Sequence, residues 1–472
     1  MTDASPTAQI NAQFEALKTA QANAPTANLT LRRKWLGQLN HFLTKFEPDL
    51  ITAMQADFTH RSHTECLNLD IATSMSQVRY AQRHVRRWMR KRFVPTPLAF
   101  LPARAHLHPQ ARGVVGIMAP WNFPVYLAIA PLAAALAAGN RVMIKPSELA
   151  PHTSAVLAKG LAQCMDADVV TVILGDAQTA AAFSSIPFDH LLFTGSTDVG
   201  RKVALAAAQN LTPVTLELGG KSPAIVMPSA DLDRAARRIA WGKTSNGGQI
   251  CVAPDYALVP RALVAEFADK IEAVWKEFYP QGAASPDYCG TISERHLVRL
   301  EKMLSEAQTN GARIVQLDAG QIPKGQRKIA PALVIDPPLE SALMREEIFG
   351  PILPIIPYDT PKDALDFVTA RDHPLALYVF AEDRAEQEIW INQSLSGGVA
   401  INDTVIHVAL DTLPFGGVGA SGYGAYHGRA GFDTFSHLKP VLRQAKWNAM
   451  GLTEPPITRS KSRLLQFARR FM

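Results

Sequence analysis

One cysteine of this chain stands in a setting that suits nucleophilic chemistry. Cys251 lies in the stretch SNGGQICVAPD, between a glycine pair and a proline, and it is one of four cysteines among 472 residues. A thiolate held at a turn can attack an electrophilic carbonyl carbon. Most buried cysteines are instead small apolar core residues. The stretch taken alone favours a core residue, so a nucleophile requires partners elsewhere in the sequence.

Two polar residues in or beside apolar stretches are candidates for those partners. Glu217 alternates with Leu216 and Leu218 in VTLELGG, and because both faces of a parallel sheet are covered, its carboxyl is predicted to be partly buried. Burial raises the pKa of a carboxyl group and suits it to general-base work, although a surface position or a buried ion pair also fits the pattern. Asn122 in APWNFP either donates to a developing oxyanion or caps the helix that begins near Pro124.

Two further stretches have the pattern of nucleotide contacts. The stretch GSTDVG, which includes Gly195 and Ser196, follows the apolar run HLLF and opens a predicted helix whose N-terminus can receive a pyrophosphate. Its spacing is not GxGxxG, so the standard dinucleotide fingerprint is absent. Lys145 and Glu148 in IKPSE follow another predicted strand, where they either grip ribose hydroxyls or form an exposed loop pair.

The elements that must position these residues alternate between strand and helix. Between residues 113 and 220 the strand-like runs are GVVGIMAP, RVMIKPS, VVTVILG, HLLFTGS and PVTLELGG, with helical stretches between them. This alternation predicts a mostly parallel, doubly wound sheet, which binds nucleotides at the carboxyl ends of its strands. A second alternating block follows the join at Gly219–Gly220, which is a natural hinge or domain boundary.

Length and composition limit the class of protein. A chain of 472 residues with 47% hydrophobic and 19% charged residues is typical of a globular protein of two or three domains. The four cysteines are widely separated and predict no disulfide framework, and the N-terminal sequence shows no secretory signal. A cytoplasmic location is therefore expected. The uncharged run 113–140 contains three prolines, which argue against a membrane-spanning helix.

Other charged and metal-like clusters are interpreted without a special function. The basic run RHVRRWMRKR is expected to be a solvated helix face, and no motif predicts nucleic-acid binding. His60, His63 and Cys66 have metal-ligand spacing, but no fourth ligand completes the shell, so no metal is expected. The basic, amphipathic tail 451–472 could make weak contact with an anionic membrane surface, pack on a partner subunit or be disordered.

Taken together, the motifs resemble the aldehyde dehydrogenase superfamily. Seven segments occur in the family's order between about residues 120 and 424: PWNFP, KPSE, FTGSTDVG, LELGGKSP, NGGQICVAPD, EEIFGP and LPFGGVGASGYG. Their combination is highly specific. The short N-terminus, the form CVAPDY and the later YHG resemble the class 3 and coniferyl aldehyde dehydrogenase branches.

The resemblance implies a role for individual residues. It implies that Cys251 is the catalytic nucleophile, Glu217 the general base and Asn122 the oxyanion donor. The implied cofactor contacts are Lys145 and Glu148 at the adenine ribose, Gly195 and Ser196 in the cofactor turn, and Glu347 and Phe349 at the nicotinamide end. The substrate pocket is expected to include Phe123, Trp241 and Ile250; many family members have threonine where this chain has Ile250. The glycine pair before Cys251 is interpreted as room for the nicotinamide and the aldehyde.

The resemblance also implies a fold and its division into domains. The expected fold is α/β, with a doubly wound Rossmann-like cofactor domain, a second α/β catalytic domain and a small oligomerisation arm. The expected ranges are 1–90 and 112–219 for the NAD-binding domain, 220–428 for the catalytic domain and 91–111 with 429–450 for the arm. The basic tail takes 451–472. A homodimer is expected from the proline-rich arm and the segment near Phe432–Leu442.

The implied reaction is NAD(P)-dependent oxidation of a small-molecule aldehyde to a carboxylic acid through a cysteine thiohemiacetal and thioester. An aromatic or phenylpropenal aldehyde such as coniferyl aldehyde is the expected substrate, and a medium- or long-chain aliphatic aldehyde is the alternative. CoA-acylating activity is disfavoured because that route needs no hydrolytic base such as Glu217; a cysteine hydrolase or a binding protein is a further alternative. NAD is expected to be preferred to NADP, because the Glu148 carboxylate would repel a 2′-phosphate.

Overall fold

A computed structural model describes residues 6–468 of the chain. Residues 1–5 and the tail residues Arg469, Arg470 and Phe471, which enter the predictions above, lie outside the described residues. The helices are α1 Pro6–Asn23, α2 Leu29–Lys45, α3 Glu47–Asp57, α4 His63–Glu65, α5 Ala72–Trp88, α6 Tyr126–Ala138, α7 Pro151–Cys164, α8 Ala177–Ser184, α9 Thr197–Ala208, α10 Leu232–Thr244, α11 Val264–Phe278, α12 Glu294–Thr309, α13 Ala342–Arg345, α14 Pro361–Thr369, α15 Arg384–Gln393, α16 Gly428–Thr434 and α17 Arg459–Ala468.

The strands are β1 Arg92–Val94, β2 Arg104–Ala111, β3 Val114–Met118, β4 Arg141–Lys145, β5 Val170–Val172, β6 His190–Gly195, β7 Val214–Leu218, β8 Pro223–Val226, β9 Tyr256–Pro260, β10 Arg313–Gln316, β11 Ala332–Ile335, β12 Ile352–Tyr358, β13 Ala376–Phe380, β14 Gly398–Ile401, β15 Gly422–Tyr423 and β16 Ser436–Arg443. They form three separate sheets.

The first large sheet is the predicted doubly wound sheet. Its strand order is β15-β7-β6-β3-β4-β5, and the five strands from the first half of the chain run parallel. The helix α6 is buried along its whole length, because it packs against β3 and β4 on one side and α2, α5 and α16 on the other. This enclosure explains why the run 113–140 is apolar, and among residues 6–468 no helix is long and apolar enough to span a membrane.

The second large sheet follows the glycine join. Its order is β10-β11-β12-β9-β8-β13-β14, and it is parallel except for the edge strand β10. The α/β fold class predicted from the sequence is confirmed. The sequence analysis missed β10, whose four residues are half exposed or exposed and so lack the apolar run of a central strand.

The chain returns from the second sheet to the first near its C-terminal end. Strand β15 pairs antiparallel with β7, and Gly422 lies opposite Glu217. The following helix α16 packs on α5 and α6, with the Phe432 ring 5.7 Å from that of Trp88. Residues 422–428, which the expected domain division assigns to the catalytic domain, therefore lead back to the cofactor side.

The third sheet is small and stands apart from both. Its order is β1-β2-β16, and β2 pairs antiparallel with β16 along eight residue pairs from Ser436 opposite Ala111 to Arg443 opposite Arg104. These strands lie within the two segments expected to form the oligomerisation arm. The division into domains itself remains a prediction.

Candidate active site

The loop before Cys251 has an unusual backbone. It follows α10, and Asn246, Gly247 and Gly248 have φ values of +50°, +61° and +73°. A side chain at Gly248 would place its Cβ 2.4 Å from the carbonyl oxygen of Gly350. Only glycine fits such a left-handed position with so close a backbone neighbour. The glycine pair therefore forms a tight turn, and neither glycine lines the two cavities at Cys251, so its interpretation as room for ligands is wrong.

Amide side chains hold this loop against Asn122. The Asn246 side chain donates to the carbonyl oxygens of Asn122 at 3.0 Å and Gln249 at 3.2 Å. Gln249 in turn donates to the carbonyls of Asn246 at 2.8 Å and Gly290 at 3.0 Å. Asn122 Nδ2 donates to the Gln249 carbonyl at 3.1 Å, which uses one of its two hydrogens. The second hydrogen remains for an acceptor in the cleft.

The start of α6 is held by Asp70, so the alternative in which Asn122 caps this helix is wrong. The Asp70 carboxylate accepts from the Tyr126 amide at 2.5 Å, and its other oxygen accepts from Arg61 at 2.9 Å. Both members of this ion pair are fully buried. The Asn122 side chain therefore does not cap α6 and instead bonds to the loop before Cys251.

Sequence reasoning missed the residues that support Asn122 and the loop before Cys251. Glu65, in the stretch RSHTE, accepts from the Asn246 amide at 2.8 Å and so ties the loop to the N-terminal helices. Arg61 and Asp70 lie in the same region. Glu65 and Asn246 are 181 positions apart, and no local sequence pattern connects them.

Cys251 lies where two cavities meet, and its side chain is half-buried. One is an apolar cavity of about 230 Å³, which we call the aldehyde cavity. It contains the three expected pocket residues Phe123, Trp241 and Ile250. Its other walls are Asn68, Leu69, Thr73, Tyr126, Leu127, Ser245, Val252, Val405, Ile406, Val408, Ala409, Phe415, Tyr426 and His427.

The other is a more polar cleft of about 620 Å³, which we call the cofactor cleft. It brings together seven of the residues proposed from the sequence: Cys251, Asn122, Glu217, Gly195, Ser196, Glu347 and Phe349. They come from the strand ends of both large sheets and from the loops beside them. The Phe349 backbone has φ +48°, and its ring lies edge-on to Trp121 at 5.3 Å. A left-handed backbone at a bulky residue is typical of a functional site.

Glu217 is buried, as predicted, with 2% of its surface exposed. Neither of its carboxyl oxygens has a hydrogen-bond partner among the described residues. Burial therefore raises the pKa of Glu217 well above its usual value. A carboxyl group of this kind accepts a proton readily once it is ionised.

The surroundings of Cys251 disfavour its thiolate form. Burial, reinforced by the carboxylates of Glu347 and Glu217, raises the pKa of Cys251. Burial and the neighbouring Asp255 raise the pKa of Glu347 to about 8, although a backbone N–H and the cation of Lys221 oppose that rise. Formation of a thiolate consequently requires a proton acceptor or a change in charge within the cleft.

The far end of the cleft suits a dinucleotide. Ser196 is the N-cap of the twelve-residue helix α9, but its side chain makes no capping hydrogen bond, which leaves the first amides of the helix available for phosphate. At the end of β4, the buried Lys145 ammonium lies 3.4 Å from the exposed carboxylate of Glu148. Neither residue lines the cofactor cleft, so their contact with the adenine ribose stays a prediction. The cleft and the start of α9 fit a nicotinamide dinucleotide.

Within residues 6–468 no group of three or more histidine, cysteine or acidic side chains is arranged to hold a metal ion. The His60 ring instead makes a 2.7 Å hydrogen bond with the Pro286 carbonyl.

Comparisons with known proteins agree with this site. Residues 2–441 match the aldehyde dehydrogenase family. The chain is 47% identical over 458 residues to a probable coniferyl aldehyde dehydrogenase of Pseudomonas aeruginosa, covering 97% of this chain and 95% of that protein. It is 44% identical over 440 residues to the coniferyl aldehyde dehydrogenase of a Pseudomonas species, covering 93% and 91%. A structure of Staphylococcus aureus AldH in a substrate-bound state is 37% identical, with a TM-score of 0.92 over 97% of this chain and 99% of that one.

A doubly wound sheet with a dinucleotide cradle and a cysteine at the mouth of an apolar cavity defines an oxidoreductase of the NAD(P)-dependent class. The chain belongs to the aldehyde dehydrogenase family. It oxidises small-molecule aldehydes to carboxylic acids.

Proposed function

We propose that the chain oxidises aromatic aldehydes of the phenylpropenal class, such as coniferyl aldehyde. The observation that carries this proposal is the position of Cys251, whose thiol opens both on the aldehyde cavity and on the cofactor cleft. The cavity is lined by the flat rings of Phe123, Trp241 and Phe415, which suit an aromatic substrate. The coniferyl aldehyde dehydrogenases named above support the same substrate class.

The proposed mechanism assigns one step to each side chain. Cys251 releases its proton to water in the cofactor cleft, and its sulfur attacks the aldehyde carbon, which gives a thiohemiacetal. The free Nδ2 hydrogen of Asn122 and the Cys251 backbone N–H stabilise the oxyanion. A bound nicotinamide supplies the acceptor for the hydride that leaves as the thioester forms. Glu217 then takes a proton from water, which attacks the thioester carbon and releases the acid and the thiol.

NAD is the proposed cofactor in preference to NADP. Lys145 and Glu148 would bind the adenine ribose, Gly195 and Ser196 the pyrophosphate, and Glu347 and Phe349 the nicotinamide end. Glu148 accepts hydrogen bonds from ribose hydroxyls but repels a 2′-phosphate. Equal kcat/KM values with the two cofactors would contradict this preference.

The direct test is a panel of aldehydes assayed by NAD(P)H formation. Coniferyl aldehyde is compared with hexanal and decanal, each with NAD and with NADP. The proposal expects the highest kcat/KM for coniferyl aldehyde with NAD. A clear preference for decanal would replace the aromatic substrate with an aliphatic one, and thioester formation that requires CoA would replace hydrolysis with acyl transfer.

We also propose a homodimer formed through the small sheet, in the cytoplasm. Its strands β1 and β16 carry exposed apolar side chains, including Phe93 with 73% of its surface exposed and Leu442 with 60%. Large exposed apolar side chains in a group are typical of an interface. All four cysteines are free, which fits a reducing compartment. Sedimentation of the full chain as a monomer at micromolar concentration would contradict the dimer.

Membrane-surface contact by the tail stays a prediction. In the described part of the tail, α17 places Leu464 and Phe467 on the surface beside Arg463.

A further inference from the structure

Two of the polar side chains in the wall of the aldehyde cavity bond to each other. The hydroxyl of Tyr126 lies 2.9 Å from Nε2 of His427, and both residues line the cavity that Cys251 closes. Both are nine-tenths or more buried. None of the steps proposed for Cys251, Asn122 and Glu217 uses either group.

The pair is held rigidly in place. Tyr126 is the first residue of α6, and its backbone amide is bound by Asp70, which the buried Arg61 in turn holds. The His427 ring stacks on Phe415 at 5.3 Å with 19° between the planes. His427 also has φ +85°, a strained conformation that persists only where surrounding contacts enforce it.

One atom of this pair is left without a partner. His427 Nδ1 is buried and makes no hydrogen bond within the described residues. Burial lowers the pKa of His427 to about 3, so the ring is neutral and has one donor and one acceptor nitrogen. With Nε2 bonded to Tyr126, either tautomer leaves Nδ1 unsatisfied, and such a buried polar atom is costly unless a ligand completes it.

We propose that Tyr126 and His427 recognise a hydroxyl group on the aromatic ring of the aldehyde. A phenolic hydroxyl is both a donor and an acceptor, so it can bond to this pair in either tautomer. The apolar walls then cover the ring and the propenal chain that leads to Cys251. The inference rests on the proposed function, because it names the group that distinguishes one phenylpropenal from another. It makes Tyr126 and His427 specificity-determining residues.

The test uses three aldehydes that differ at one ring position: 4-hydroxycinnamaldehyde, 4-methoxycinnamaldehyde and cinnamaldehyde. The hydroxy and methoxy groups have similar electronic effects on the aldehyde, but only the hydroxyl donates a hydrogen bond. For the unaltered enzyme, kcat/KM for the hydroxy compound should exceed that for each of the others by about tenfold or more, as expected when a buried polar group loses its ligand partner. This ratio of kcat/KM values should be smaller than in a site where every polar group depends on the substrate for a hydrogen bond, because Tyr126 and His427 already bond to each other.

Tyr126→Phe should bring the three kcat/KM values close together, mainly through loss of activity on the hydroxy compound. His427→Asn should do the same, because the shorter amide side chain cannot reproduce the position of the imidazole nitrogens. The ratio of two substrates on one enzyme preparation does not depend on the fraction that is folded. The matched control is Tyr358→Phe, which removes a buried tyrosine hydroxyl bonded to the Val226 carbonyl at 2.7 Å, away from both cavities, and should leave the ratios unchanged.

Equal kcat/KM values for the three compounds in the unaltered enzyme would overturn the inference, as would ratios that survive Tyr126→Phe. Both outcomes leave aromatic oxidation itself intact. Failure of all three compounds while hexanal or decanal is oxidised would be a different result, because it overturns the proposed substrate class.

Discussion

The two cavities that meet at Cys251 differ in what lines them. The aldehyde cavity is apolar except for a few hydroxyl, amide and imidazole groups, whereas the cofactor cleft contains Glu217, Glu347, Asn122 and nearby arginines. Their supports differ too. The cavity is formed by α6, α10 and the segments 68–73, 245–252 and 405–427. The cleft is formed by loops at the strand ends of the two large sheets together with α12.

Because of this difference, the aldehyde cavity determines which substrate is bound, and the cofactor cleft acts on the reacting atoms. An apolar wall distinguishes substrates by shape and by its few polar groups, with little effect on the charges that act at the sulfur. Buried carboxyls and amide donors act on the reacting atoms whatever the substrate's tail. Substitutions in the cavity should therefore change the kinetic constants for the aldehyde, and substitutions in the cleft should change turnover of all aldehydes alike.

Cys251→Ala tests the residue that the two cavities share. Because no covalent intermediate can form without the sulfur, NAD(P)H formation should fall by roughly four orders of magnitude or more for every aldehyde. Cofactor binding, followed by the fluorescence of NADH, should persist because the cradle at α9 is untouched. Residual turnover within tenfold of the unaltered enzyme would show that Cys251 is not the nucleophile.

Glu217→Gln tests the cleft alone. The amide cannot accept a proton from water, so steady-state turnover should fall about 10²–10⁴-fold for coniferyl aldehyde and hexanal alike. Rapid mixing should still show a burst of NADH, because the thioester forms but is not hydrolysed. Loss of the burst together with steady-state turnover would place Glu217 before the thioester instead of after it.

The pH dependence of turnover sharpens the same assignment. Since burial raises the pKa of Glu217, its carboxylate forms at a higher pH than that of an ordinary glutamate, and the fraction of carboxylate increases as pH rises. Under conditions where hydrolysis limits the rate, kcat should rise by about tenfold per pH unit below that pKa. The measurement is kcat from pH 6 to 9 in the unaltered enzyme and in Glu217→Gln, whose profile should lack this limb. A kcat that falls with rising pH would contradict the assignment.

Ile250→Ala tests the cavity, and the expected effect is the smallest. Ile250 is buried beside the nucleophile and lines only the aldehyde cavity. Removing its methyl and methylene groups should lower kcat/KM for coniferyl aldehyde by about tenfold, within the range for lost apolar contact. The KM for NAD should stay the same. If the KM for NAD changed by the same factor as kcat/KM for coniferyl aldehyde, the cavity and the cleft would not act separately.

The sequence predicted the two sheets because their strands are continuous apolar runs bounded by glycine and proline. It also predicted that Glu217 and Gly195 would meet, because both belong to parallel strands of one sheet, and parallel strands present their carboxyl ends at one edge. Lys145 ends a strand of the same sheet but does not line the cleft. The burial of Glu217 followed from its place in an interior strand.

No sequence pattern of this kind indicates the hydrogen bonds that support the site. Glu65 bonds to the amide of Asn246, and Asp70 bonds to the amide of Tyr126, which is 56 positions away. Backbone amides look alike in every sequence, so a side chain gives no local indication of which distant amide it will bind. The short strand β15 was missed for a related reason, since its Gly422–Tyr423 pair is too brief to show alternation.

The small sheet has a consequence for how this protein behaves on dilution and heating. Among the described residues, its outer strands β1 and β16 each pair only with β2, so both edges of the sheet keep unpaired backbone donors and acceptors. Such edges bind further strands unless something covers them. If a second copy covers one edge, the folded state gains free energy from association, and the melting temperature should rise with protein concentration. Very dilute enzyme, in which the dimer dissociates, should then lose activity faster on storage than concentrated enzyme.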